Sequence, residues 1–129
     1  MQALYQWHMT GADPKSIEAE FAADNDMTHV DKAYFHELVQ TIPLQTETLD
    51  QSFSRYLQTK TFAELDPITL ALLRIAAYEL KQRVDVPYRV VITEAVSLAK
   101  KFGATDSYKF INGVLDQLAT ELRQPEAEA

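Results

Sequence analysis

Along most of this 129-residue chain, apolar side chains recur every three or four positions, the spacing that lines one face of an α-helix. Met1 to Met9 reads as helix, with Leu4 and His8 one turn apart, Trp7 beside them and Gly11 closing it. It begins inside its apolar pattern, with no N-capping residue in front. Asp13-Pro14 opens a second helix, aspartate as N-cap and proline at the first helical position, where a missing N–H costs nothing. Ile17 and Phe21 form its short stripe, and Asp24-Asn25-Asp26 ends it. A third helix starts near Asp31 and turns Tyr34, Phe35, Leu38, Val39 and Ile42 inward. Pro43 interrupts the pattern, which resumes at Leu49, Phe53, Tyr56 and Leu57. That spacing gives either one kinked helix or two with a joint.

Asp66-Pro67 repeats the aspartate and proline device. The helix behind it, Ile68 to about Arg83, is apolar on nearly every side, which predicts the buried centre of the domain. Val86-Pro87 breaks the chain. Tyr88, Ile92, Ala95, Ala99 and Phe102 then share one face of the next helix, and Gly103 suits its C-cap. Thr105 or Asp106 caps the last helix, whose apolar set is Phe110, Ile111, Val114, Leu115, Leu118 and Leu122. Gly113 in mid-helix costs about 1 kcal/mol relative to alanine, so it is expected to permit a close helix approach. The tail from Gln124 to Ala129 is polar and reads as frayed. No period-2 run survives, so the chain reads as a single all-α domain.

Composition narrows what such a domain does. Nearly half the residues are hydrophobic, enough for one well-formed core. Cysteine is absent, which removes disulfides, thiol chemistry and Cys-ligated zinc and fits a cytoplasmic protein. No apolar run is long enough to span a bilayer, and MQALYQWHM lacks the basic start and apolar core of a secretion signal. A net charge of −7 argues against a general nucleic-acid binder. Its distribution qualifies that. Residues 1–66 hold four Lys and Arg against eleven Asp and Glu, whereas residues 67–129 hold eight of each. Between Arg74 and Lys109 seven basic residues meet four acidic ones, so a modest basic surface is expected on an acidic domain.

Catalytic chemistry finds little support. His8, His29 and His36 lack metal-ligand spacing, and no nucleophile elbow or phosphate-cradling glycine loop occurs. No enzyme, metal or cofactor is therefore expected. One cluster suits binding instead: Lys100, Lys101, Asp106, Tyr108, Lys109 and Phe110 gather around one loop and two helix ends. Lysines neutralise phosphates, an exposed ring stacks on an unpaired base, and a carboxylate accepts from a base amino group. The same residues also suit a plainer reading: Phe110 in the core, Asp106 as a cap, lysines for solubility.

LLRIAAYEL (Leu72–Leu80), DVPYRVVITEAVSLAKKFG (Asp85–Gly103) and DSYKFINGVLDQL (Asp106–Leu118), with ALYQW at Ala3–Trp7, closely resemble the bacterial NusB transcription antitermination family. The resemblance covers essentially the whole chain in the same order. It implies an all-α fold of two small packed helical bundles, here 1–60 and 61–123, and no catalysis. It also implies a partner, the small-subunit ribosomal protein NusE, and a ligand, single-stranded boxA RNA in nascent ribosomal RNA transcripts. The pair works within an RNA polymerase antitermination complex, and the family also forms homodimers. The family's RNA-binding positions match Asp106, Lys109 and Phe110, with Lys100 and Lys101 adjacent. Its NusE-binding positions match Tyr5 and Thr69, where relatives often carry glutamate. Family members also begin further upstream with an arginine-rich stretch, so a chain starting at Met1 is expected to bind RNA more weakly and with a flatter salt dependence. Two other roles fit such a domain: the RNA-binding part of a ribosomal RNA cytosine methyltransferase, and a self-associating structural unit.

Overall fold

The computed structural model describes residues 1–28, 30–57, 64–104 and 106–123. Among the described residues, seven α-helices account for about three quarters: α1 (Gln2–Thr10), α2 (Pro14–Asp24), α3 (Lys32–Thr41), α4 (Thr46–Ser54), α5 (Pro67–Gln82), α6 (Tyr88–Phe102) and α7 (Ser107–Leu122). A 3₁₀ turn, Ile42–Leu44, carries Pro43 and joins α3 to α4, so the interrupted pattern is two helices with a joint. The described residues contain no strand.

Helix starts follow the aspartates. Asp13, Asp31 and Asp66 each occupy an N-cap and accept from the backbone N–H of Lys15, Tyr34 and Thr69 respectively. Pro14 and Pro67 fill the first helical positions behind two of them. At the end of α1, Gly11 takes a left-handed φ of 67°, and its N–H reaches the Trp7 carbonyl at 2.8 Å. Gly113 does otherwise than expected. It is exposed, and a Cβ placed there would meet nothing within 4 Å, so it mediates no close approach.

α5 is the axis of the fold. Nine of its sixteen residues are buried, and α1, α4, α6 and α7 pack around it. The main core joins Leu72, Leu73, Leu80, Ile111, Leu115 and Leu118 to Ile42, Leu49 and Phe53 from the N-terminal half. A smaller cluster, Ala3, Ile17 and Val39, seats α1, α2 and α3 on one another, with Trp7, Phe21 and Phe35 around it. The main core thus draws on both halves of the chain, with α4 packed on α5 and α7.

Polar ties fix how these helices sit. Arg74 of α5 forks onto Asp50 of α4 at 2.9 and 2.8 Å. Tyr34 of α3 donates to Glu79 of α5, while Tyr78 donates to Glu37 at 2.5 Å and Arg83 pairs with Glu37 at 2.9 Å. The Arg83 guanidinium also covers the Tyr34 ring at 4.6 Å. Past the end of α7, Arg123 is 6% exposed and donates to the carbonyls of Leu80, Val86, Glu79 and Arg83 at 2.8–3.0 Å. Those carbonyls belong to the last turn of α5 and the loop behind it; Glu79 and Arg83 also accept from the backbone N–H of Arg83 and Val86 at 3.0 and 2.9 Å.

Candidate nucleic-acid interface

The lysine cluster is built by a tight connection between two helix ends. α6 finishes with Lys100, Lys101 and Phe102, and α7 opens with Ser107, Tyr108, Lys109 and Phe110. Gly103 holds the C-cap of α6 with extended backbone, so its value there is its size rather than a left-handed φ. A Cβ on Gly103 would stand 2.5 Å from Ser107 Oγ and 2.7 Å from the Ala99 carbonyl oxygen. Only a residue without a side chain lets α7 start this close to α6.

Asp106 occupies the N-cap of α7 but makes no capping bond with its side chain, which corrects its reading as a cap. Its φ of 65° is the one positive value outside glycine among the described residues, a conformation aspartate tolerates better than most. Its carboxylate instead lies 3.7 Å from Lys109 Nζ, with both side chains about two-thirds exposed, so the pair contributes little to stability. Thr105, the other candidate cap, lies outside the described residues.

Aromatic rings stand among the lysines. Lys100 Nζ lies 4.9 Å and Lys109 Nζ 5.9 Å from the centre of the Tyr108 ring, and Lys101 Nζ lies 5.2 Å from that of Phe102. Phe102, expected on the buried face of α6, is 37% exposed. It stands in the last turn of the helix and lines a cavity with Ala3, Phe21, Phe35 and Leu98. Phe110 is half-buried and packs partly against the main core. It also lines a cavity of about 250 Å³ together with Leu65, Asp66, Thr69, Asp106 and Ser107.

That cavity brings two sets of expected residues together. Asp106 and Phe110 stand on one side and Thr69 on the other. Thr69 itself is buried, and its hydroxyl donates to Asp66 Oδ2 at 2.7 Å while its N–H donates to Asp66 Oδ1 at 2.9 Å. Its polar groups therefore serve the start of α5 and are not presented outward. Tyr5 lies on α1, 37% exposed, and is not among the cavity's lining residues. Sequence reasoning missed Ser107, whose hydroxyl oxygen is enclosed there and finds no hydrogen-bond partner among the described residues.

His8 and His36 lie on other helices than this surface. His36 pairs with Glu18 at 2.9 Å across α3 and α2, His8 is exposed on α1, and His29 lies outside the described residues. Among the described residues no three His, Cys, Asp or Glu side chains gather as metal ligands, and no helix is long and apolar enough to cross a membrane.

A sequence model described as the NusB family matches residues 1–120. The chain belongs to the NusB family. It is 57% identical over 129 residues to the transcription antitermination protein NusB of Saccharophagus degradans, covering all of this chain and 86% of that one. It is 52% identical over 128 residues to the protein of the same name in Pseudomonas savastanoi pv. phaseolicola, covering 77% of it. Among solved structures, T. maritima NusB superposes with a TM-score of 0.84 at 30% identity, over 99% of this chain and 91% of the other. The all-α fold expected from the residues is thus the NusB fold.

Proposed function

We propose that this chain is a transcription antitermination factor that binds boxA single-stranded RNA together with NusE in nascent ribosomal RNA transcripts. The observation that carries this is the exposed set of lysines interleaved with rings at the α6–α7 connection, beside a cavity whose far wall is Thr69. Lys100, Lys101 and Lys109 neutralise backbone phosphates, releasing counterions. Phe110 presents a ring for one unpaired base, an interaction of about 1–3 kcal/mol. Asp106 accepts from a base amino group, which selects among bases more than it tightens binding. NusE docks along Tyr5 and the start of α5. The buried Thr69 hydroxyl leaves that contact to shape and neighbouring groups, not to a charged bond.

Reconstitution tests the reading. Mixing the chain with NusE and labelled boxA RNA is expected to give a ternary complex on size exclusion that a scrambled RNA does not give. Phe110→Ala is expected to lower RNA affinity about tenfold, within the range of one lost stacking contact. Adding an arginine-rich segment ahead of Met1 is expected to tighten binding and steepen its salt dependence. Failure to form the complex both with and without that segment would sink the proposal.

A further inference from the structure

We propose that Tyr108 is a positioning residue of the RNA surface: its ring gathers Lys100 from α6 and Lys109 from α7 into one paired cation for backbone phosphates. The inference rests on the RNA-binding reading above and assigns Tyr108 a part other than stacking on a base.

The physical case begins with an arrangement that is unfavourable without the ring. Lys100 and Lys101 lie in the last turn of α6, where the helix dipole favours cations. Lys109 lies in the first turn of α7, where the dipole disfavours them. The short connection at Gly103 brings these like charges toward each other. Asp106 offsets Lys109 only weakly, at 3.7 Å on an exposed surface. Tyr108 supplies what is missing. Its ring lies 4.9 Å from one ammonium and 5.9 Å from the other, both inside the reach at which the negative face of an aromatic ring attracts a cation.

Fixing the ring fixes the charges. Tyr108 is half-buried and packs against the main core, so its ring does not wander. Free lysine side chains carry a large rotamer entropy that phosphate binding must overcome. Ammonium groups already resting on an anchored ring lose less on binding, and the pair meets phosphates as a preorganised unit.

The full chain, with Y108F, Y108L, K100A/K109A and the combination of Y108L with both lysine changes, tests this. In the free protein, proton NMR is expected to show the Lys100 and Lys109 side-chain methylenes shifted upfield by the ring current. That shift is retained in Y108F and lost in Y108L. With NusE and boxA RNA, Y108L is expected to weaken binding about threefold to tenfold and to flatten the salt slope by about 0.7, the share of one phosphate. Y108F is expected to stay near wild type, and Y108L to change nothing further once both lysines are gone. Equal losses from Y108L with and without the lysines would overturn the proposal, because the ring would then touch RNA itself. Unshifted lysine resonances in the wild type would overturn it as well, and they keep the test open if Y108L fails to fold. Ring-shifted lysines in a protein whose RNA affinity K100A/K109A leaves unchanged would instead overturn the RNA-binding reading, and the positioning role with it.

Discussion

Gly103 and Gly113 stand ten residues apart on the two sides of one helix start and carry opposite consequences. At Gly103 an added methyl meets Ser107 Oγ and a backbone carbonyl of α6, and the carbonyl has nowhere to go. Gly103→Ala is expected to destabilise the fold by about 1–3 kcal/mol through overpacking, and to weaken RNA binding by parting the two helix ends. At Gly113 the space is open and the backbone is helical, so Gly113→Ala is expected to stabilise by about 0.5–1 kcal/mol. Paired thermal unfolding curves check both signs at once. The sequence already held the clue to Gly113, since it shares a helix face with the polar Asp116, Gln117 and Thr120. Phase along the helix, rather than the mere presence of glycine, decides what such a residue faces. Thr69 teaches the converse: its spacing behind Asp66 is that of a residue whose N–H meets the cap, and the structure commits its hydroxyl there too.

Helix boundaries were legible because aspartate caps and prolines act over a few residues, and Asp13, Asp31 and Asp66 do so here. The clamp at the end of α5 was not. Arg123 closes that helix from about forty residues further along the chain, so nothing local announces it. Arg123→Ala leaves the Leu80 and Val86 carbonyls without this donor, while those of Glu79 and Arg83 keep the backbone N–H of Arg83 and Val86, and is expected to cost on the order of 3 kcal/mol in urea unfolding. Arg123→Lys is expected to recover only part of this, because one ammonium cannot reach four carbonyls spread across a planar fork. The joint between α3 and α5 carries its own signature. Burial and the bond to Glu37 push the Tyr78 hydroxyl up to about 12, and burial with the bond to Glu79 raises Tyr34 as well. An unfolded tyrosine loses its proton near 10, so the folded state holds these protons more tightly. Their stabilisation is complete below about pH 10 and is lost as pH climbs from there through about 12. Urea midpoints are expected to fall between about pH 9 and about pH 11, and Tyr78→Phe is expected to shrink that fall.

For the whole molecule, helical periodicity was enough to give the fold class, and an apolar girdle around α5 was enough to place its centre. The proposed RNA surface was legible only in part. Charge located its lysines between Arg74 and Lys109, yet residue chemistry alone did not separate a binding face from solubilising charge. What supports the proposed binding face is spatial: the rings of Tyr108 and Phe102 standing beside those lysines, and a cavity linking Phe110 to the start of α5. The exposure of Phe102 was not legible, because its position on the apolar stripe of α6 says nothing of how fully neighbouring helices cover it. Under the proposed function, the contrast between an acidic N-terminal half and a locally basic α6–α7 connection would favour RNA at that connection. The most direct test of that claim is to photo-cross-link boxA RNA to the chain in the presence of NusE and map the attachment sites. Attachment within the segment from Lys100 to Phe110 is the predicted result. Attachment confined to α2 and α3, with that segment unmodified, would contradict the account.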